Sequence, residues 1–203
     1  MTTLFQRPRK RRLQRDKDFT GERLSSFREV FLRHGLPGLG LGASVLLIPD
    51  LQTVFIRSLT RASEHIALYA MIGITILIAL NAYNWFLDRK WGVAQLGWIV
   101  YLGALSVWEE WLFRLALPHL LEGIGSSVWM ASVLSAILFG AVHYFTLRWK
   151  WHWCVGAGIG GLYFSHQMEL HGDLLWVAAI HWVMTSINTP RPPSPSAPRQ
   201  AEA

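Results

Sequence analysis

Residues 66–87 read IALYAMIGITILIALNAYNWFL, an uninterrupted stretch without Asp, Glu, Lys or Arg. A bilayer-spanning helix needs roughly 17–25 mostly apolar residues, so this run is long enough to cross. Other charge-free stretches flank it, at 34–49, 91–108, 123–147, 151–168 and 174–190. The whole chain has 203 residues, 52% of them hydrophobic and only 16% charged, with 11 Trp and a mean hydropathy of +0.27. Soluble domains carry about 25% charged residues. The expected fold is therefore an all-α polytopic membrane protein with about six transmembrane helices, near 36–56, 66–87, 95–118, 126–147, 153–168 and 174–189. The first of these holds Pro49, Asp50 and Gln52 and is expected to be kinked or only partly inserted.

Charge orients this bundle. Ten of the nineteen Lys and Arg residues precede position 35, with RPRKRRLQR at 7–15. Six spans with cytoplasmic N- and C-termini put sixteen basic residues inside and two, Arg57 and Arg61, outside. Such an excess is what cytoplasmic loops carry. The basic head is read as a membrane-facing flank, which makes nucleic acid an unneeded partner and the bilayer the expected one. No apolar run with a small-residue cleavage site follows it, so it is not read as a secretory signal. The organisation expected is a basic cytoplasmic or interfacial segment at 1–33, a transmembrane domain at 34–189, and a disordered Pro-rich tail at 190–203. A multi-pass protein of the cell (inner) membrane follows from this pattern. The single Cys154 excludes a disulfide framework and Cys-based metal clusters, and reads as a small buried hydrophobe.

Ionisable groups inside spans are costly and need a reason. The third span carries WEEWLFR, placing Glu109, Glu110 and Arg114 near its middle. Glu110 and Arg114 are four apart, share a helix face and can pair; Glu109 points about 100° away and needs another neighbour. The fourth span holds FGAVH, with Phe139 and His143 on one face, and the sixth holds His181 with Thr185 four later. On straight helices His143 lies about 9 Å nearer the cytoplasmic side than Glu109. A packing ion pair with solvated or packed histidines is the bland alternative.

Together, Glu109-Glu110-x-x-x-Arg114, Phe139-x-x-x-His143 and the late His181 resemble the CPBP family of intramembrane proteases, which comprises CAAX-processing endoproteases and bacteriocin-processing relatives. The segment 160–181, GGLYFSHQMELHGDLLWVAAIH, also resembles that family's approach to its last His. The resemblance covers about 97–188. It implies a glutamate-type endopeptidase in which Glu109 activates water, His143 and His181 position it or donate to the tetrahedral intermediate, and Glu110 orients through Arg114. Phe139 and Thr185 are implied as supporting residues, and a membrane-bound or lipidated protein or peptide as substrate. The family pattern has Asn where this chain has Thr185, which is shorter and lacks an amide NH2. Asn188, seven after His181, falls on the same face and is a candidate substitute.

No cofactor is expected. Zn held by His143, His181 and Glu109 is the minority reading, since two His and a carboxylate are a legitimate set, but no HExxH helix favours it. Gly42-Ala43-Ser44 has a rhomboid-like look and is read as helix packing. Gly172-Asp173 lacks the paired Asp motifs of aspartyl intramembrane proteases. His34, His65 and His119 are read as ordinary residues at span ends, and His152, His166 and His171 as loop or boundary residues. The glycines at 156, 158, 160 and 161 are expected to let one helix approach a neighbour. A non-catalytic polytopic adaptor or immunity-type protein is the alternative function. A proton-coupled transporter is a third, for which the expected repeats are missing.

Overall fold

The computed structural model describes residues 13–15, 19, 21, 24–88 and 92–193. Most of the basic head, Arg89, Lys90, Trp91 and the tail beyond 193 lie outside the described residues. Among the described residues every regular element is a helix, and Gln14 and Trp149 form an isolated antiparallel bridge.

Ser26 starts the first helical run with a capping box: its hydroxyl accepts from the Glu29 amide, and the Glu29 carboxylate accepts from the Ser26 amide. Helix α1 (Phe27–Val30) passes through a π-helical turn (Phe31–Gly35) into α2 (Leu36–Val45). The chain then breaks before Pro49, because the residue ahead of a proline is disfavoured in the α region. Helix α3 (Pro49–Glu64) leaves at 106° to the run 27–45. The expected first span at 36–56 is thus corrected to two helices with a sharp corner. Leu51, Ser58 and Ala62 form the buried face of α3, and this half-polar helix lies against the bundle through a Phe55–Trp111 edge contact.

Helix α4 (Ile66–Asp88) differs in kind. Ile66, Leu68, Met71, Ile74 and Ile78 are all exposed, and only 6% of its most apolar window is buried. A helix that is apolar all round and unburied by protein is one that expects lipid around it. The chain continues through α5 (Val93–Glu110), a second π-helical turn (Trp111–Ala116), α6 (Leu117–Gly123), α7 (Val128–Thr146), α8 (Trp151–His171) and α9 (Leu174–Asn188). Among the described residues two helices, Ile66–Leu87 and Val128–Thr146, are long and apolar enough to cross a membrane; the bent run from Phe27 to Glu64 would make a third. Leu174–Asn188 is apolar but shorter. Helix α8 runs to His171, so His166 and His171, read as loop or boundary residues, sit exposed on its last turns.

Each π-helical turn ends two residues before a proline, Pro37 or Pro118. Proline has no N–H to donate, so the carbonyl four residues back, of Arg33 or Arg114, loses its α-helical bond and the turn widens. Those two wide turns flank the buried polar cluster described below.

Small residues set the closest approach. A Cβ on Gly140 of α7 would stand 2.6 Å from the Cys154 carbonyl oxygen of α8, and one on Gly158 would stand 3.3 Å from the Ala136 carbonyl oxygen. Gly161 leaves room for the Arg114 guanidinium, whereas Gly156 and Gly160 meet nothing within 4 Å. The glycine run therefore packs through two of its four members. Gly42 packs against Trp108 and Ser44 donates to the Gly40 carbonyl, an ordinary packed helix. The main apolar core gathers Leu51, Trp111, Phe164, Met168, Leu174 and Val177 beneath the α8–α9 turn. Gly172 makes that turn in the left-handed region (φ 60°), and Asp173 caps α9 by accepting from the Trp176 amide and the Tyr69 hydroxyl of α4.

The N-terminal residues close over the end of α7. Arg15 Nη1 donates to the Tyr144 and Trp149 carbonyls at 2.6 and 2.9 Å, and Arg33 donates to Phe145 and Thr146 carbonyls. Helix C-termini leave such carbonyls without intrahelical partners and carry partial negative charge, so cations belong there.

Candidate active site

Glu109 and Glu110 end α5, and their carboxylates diverge. Glu110 is fully buried (0% exposed). One of its oxygens faces Arg114 Nε at 3.1 Å in a charge contact one turn along the helix, and the other lies 2.6 Å from His181 Nδ1. The Glu110 oxygen is an acceptor, so His181 Nδ1 carries the hydrogen and donates it. Arg114 lies over the Phe139 ring, its guanidinium carbon 4.7 Å from the centroid. Phe139 also meets the His143 ring edge-on at 4.5 Å and the His181 ring at 5.8 Å. Phe139 thus spaces the guanidinium from two imidazoles.

Glu109 faces the other way. His143 Nε2 is 3.8 Å from its Oε1, and His181 Nε2 is 3.7 Å from its Oε2. The offset of about 9 Å expected for His143 on straight, parallel helices is absent, because α7 comes in with His143 level with the end of α5. His143 Nδ1 donates to the Phe139 carbonyl at 2.8 Å, which fixes its tautomer and turns the Nε2 lone pair toward Glu109. The structure therefore brings Glu109, Glu110, Arg114, Phe139, His143 and His181 together.

One member was not foreseen. His34, read from the sequence as an ordinary span-end residue, is buried (5% exposed), and its Nε2 lies 2.8 Å from Glu109 Oε1. It is the closest of the three imidazoles to that carboxylate. His34 sits 75 residues from Glu109 in the chain, so no local spacing reveals it. The signal available was only a histidine at the edge of a charge-free run.

The cluster opens on a cavity of about 470 Å³. Glu109, His34 and His143 line one part of it; Val30, Leu102, Leu105 and Leu147 give it apolar walls, and Thr189–Pro193 form part of its lining. Thr185 also lines it, one turn after His181. Asn188 lines it too, with its amide donating to the Met184 carbonyl at 3.0 Å.

Residues 89–187 match the family model for type II CAAX prenyl endopeptidase Rce1-like proteins. That segment, just under half of the chain, is similar to the Rce1-like domain of the CPBP family. The matched segment runs from just before α5 almost to the end of α9 and contains every residue of the cluster except His34. Proteins of this family are CAAX-type intramembrane proteases acting on membrane-associated proteins, and with its apolar helices the chain is an integral membrane protein. No curated protein and no solved structure matches the chain.

A metal could in principle use the Rce1-like cluster, since His34, Glu109 and His143 offer ligand atoms within 4.8 Å of one another. Ligands about 2.0 Å from a tetrahedral Zn stand about 3.3 Å apart. Here the separations from Glu109 Oε1 are 2.8 and 3.8 Å, one too short and one too long. The short one is a hydrogen-bond distance. The donor types fit a metal.

Proposed function

We propose that this Rce1-like protein is an intramembrane glutamate-type endopeptidase acting without a metal on a membrane-bound or lipidated protein or peptide. The observation that carries this reading is the buried carboxylate of Glu109 among three imidazoles at the end of an apolar-walled cavity. Hydrolysis inside a membrane needs admitted water, a base and donors for the developing oxyanion. Glu109 takes a proton from water as the water oxygen bonds to the scissile carbonyl carbon. His143, through its Nε2 lone pair, accepts from the water and positions it, and the tetrahedral oxyanion is met by His181 carrying a hydrogen on Nε2 as well as Nδ1, with Thr185 as a supporting donor. As the C–N bond breaks, Glu109 returns that proton to the leaving nitrogen. Glu110 and Arg114 touch no substrate: Glu110 holds His181 by its Nδ1–H, and Arg114 with Phe139 holds Glu110.

The sixteen-to-two distribution of basic residues supports six passages with both termini in the cytoplasm, in the cell (inner) membrane. In that arrangement 34–189 is the transmembrane domain, 1–33 a basic interfacial segment and 190–203 a tail. The α2–α3 corner makes the first passage the least regular. The cavity walls suit an extended apolar segment next to the scissile bond, as a membrane-associated substrate presents.

The test compares protein termini in membranes from cells carrying the wild-type chain or Glu109→Ala at equal abundance. New termini present only with the wild type support the protease and identify its substrate. Identical termini, with equal rescue of any knockout phenotype, support the adaptor instead.

A further inference from the structure

His34 lies outside the matched domain, in the π-helical turn ahead of α2, yet it makes the shortest contact to Glu109. Its other ring nitrogen, Nδ1, lies 2.7 Å from Thr146 Oγ1 at the end of α7. That hydroxyl stands 2.6 Å from the Val142 carbonyl oxygen. A carbonyl can only accept, so the single Thr146 hydrogen goes to Val142, and Oγ1 must accept from His34. Nδ1 therefore carries a hydrogen. Nε2 then meets a carboxylate oxygen at 2.8 Å, and two bare acceptors do not sit that close. One proton lies between His34 Nε2 and Glu109 Oε1.

We infer that His34 is the positioning residue of Glu109: as an imidazolium fixed by Thr146, it donates to Oε1 and leaves Oε2 as the oxygen that takes the proton from water. Among the described residues Oε2 accepts no hydrogen bond, and its nearest charged-group neighbour is His181 Nε2 at 3.7 Å. The two oxygens thus have different tasks. The His34 proton stays in place through the cycle, and only the proton from water moves, to Oε2 and then to the leaving nitrogen. A carboxylate held by a charged donor is oriented by it. The site is then incomplete within 89–187, and the N-terminal segment supplies a part of it, clamped by Arg33 on the Phe145 and Thr146 carbonyls.

This inference rests on the protease reading above, and its test separates the two. The full-length chain, with ring-15N histidine, is purified in detergent micelles at neutral pH, and new termini are profiled in membranes as before. His34 is expected to give a doubly protonated ring signal that is missing from His34→Gln and becomes neutral in Glu109→Gln. His34→Gln, which keeps a donor to Oε1, retains cleavage within about tenfold, while His34→Leu lowers it roughly 10–100-fold, the range seen when an orienting partner is removed. A neutral His34 ring, or a folded His34→Leu that cleaves like the wild type while Glu109→Gln is dead, overturns the inference and leaves the protease standing. Cleavage by Glu109→Gln at the wild-type rate overturns both. If His34→Leu fails to fold, the ring signal and the His34→Gln rate decide.

Discussion

Glu109 and Glu110 are adjacent on α5, yet their carboxylates share no partner except His181, which presents Nδ1 to Glu110 and Nε2 to Glu109. The imidazole is therefore a bridge between an anchored carboxylate and a cavity-facing one. Glu110 has an arginine and an imidazole; Glu109 has imidazoles alone. This difference in partners supports the proposed division of the two acids between structure and chemistry, and it yields the first prediction.

Glu110→Gln removes the ion pair with Arg114 and leaves a guanidinium buried without its counter-charge. Breaking a buried pair by removing one partner costs about 3–5 kcal/mol, whereas replacing both by apolar groups of similar volume is often near neutral. The single variant is expected to lower the thermal unfolding midpoint of the purified protein strongly. Glu110→Gln with Arg114→Met is expected to recover much of that loss, a coupling that a double-mutant cycle in micelles measures. Additive losses would mean the pair contributes no mutual stabilisation.

Backbone contact between α7 and α8 gives the second. The methyl of Gly140→Ala would meet the Cys154 carbonyl oxygen at 2.6 Å, a main-chain atom with nowhere to go. Overpacking of this kind costs roughly 1–3 kcal/mol. Gly156→Ala adds its methyl to open space on the same pair of helices. Circular-dichroism melts are expected to show a lowered midpoint for Gly140→Ala and an unchanged one for Gly156→Ala.

Thr185 stands where the family pattern has an amide. If its hydroxyl supports the oxyanion, the near-isosteric Thr185→Val removes the donor and keeps the shape. Loss of one oxyanion donor lowers kcat by about 10²–10³ where that donor is strong. Cleavage of a substrate identified from the new termini is expected to fall at least tenfold in Thr185→Val and to be kept or raised in Thr185→Asn. Equal rates for threonine and valine would remove Thr185 from the mechanism and point to Asn188.

The 2.8 Å contact between His34 and Glu109 favours a shared proton over a shared ion, so proteolysis by purified protein is expected to survive prolonged chelation with 1,10-phenanthroline. Loss on chelation and recovery on adding Zn would instead assign a metal to His34, Glu109 and His143.

Much of this was legible in the sequence because it is local. The 22-residue run at 66–87 needs only its length to be read, and Glu110–Arg114 and Phe139–His143 need only the helical repeat. Glu109's want of a neighbour was also legible; the neighbour was not. His34 reaches it by a tertiary contact across 75 residues, through a turn widened by Pro37. Pro49 announced a break in the first expected span, but its 106° corner depends on α3 having a bundle to lie against. The offset reckoned for His143 holds for straight, parallel helices, and the tilt of packed helices closes such gaps.

In the proposed mechanism Glu109 is the base for peptide hydrolysis. The most direct measurement takes the substrate segment identified from the new termini, reconstitutes it in liposomes with purified wild type or Glu109→Gln, and runs the reaction in 18O-water. The expected result is a wild-type fragment whose new carboxyl terminus carries one 18O atom, and no fragment with Glu109→Gln folded to the same unfolding midpoint. Cleavage by Glu109→Gln at the wild-type rate, with the same label, would contradict it.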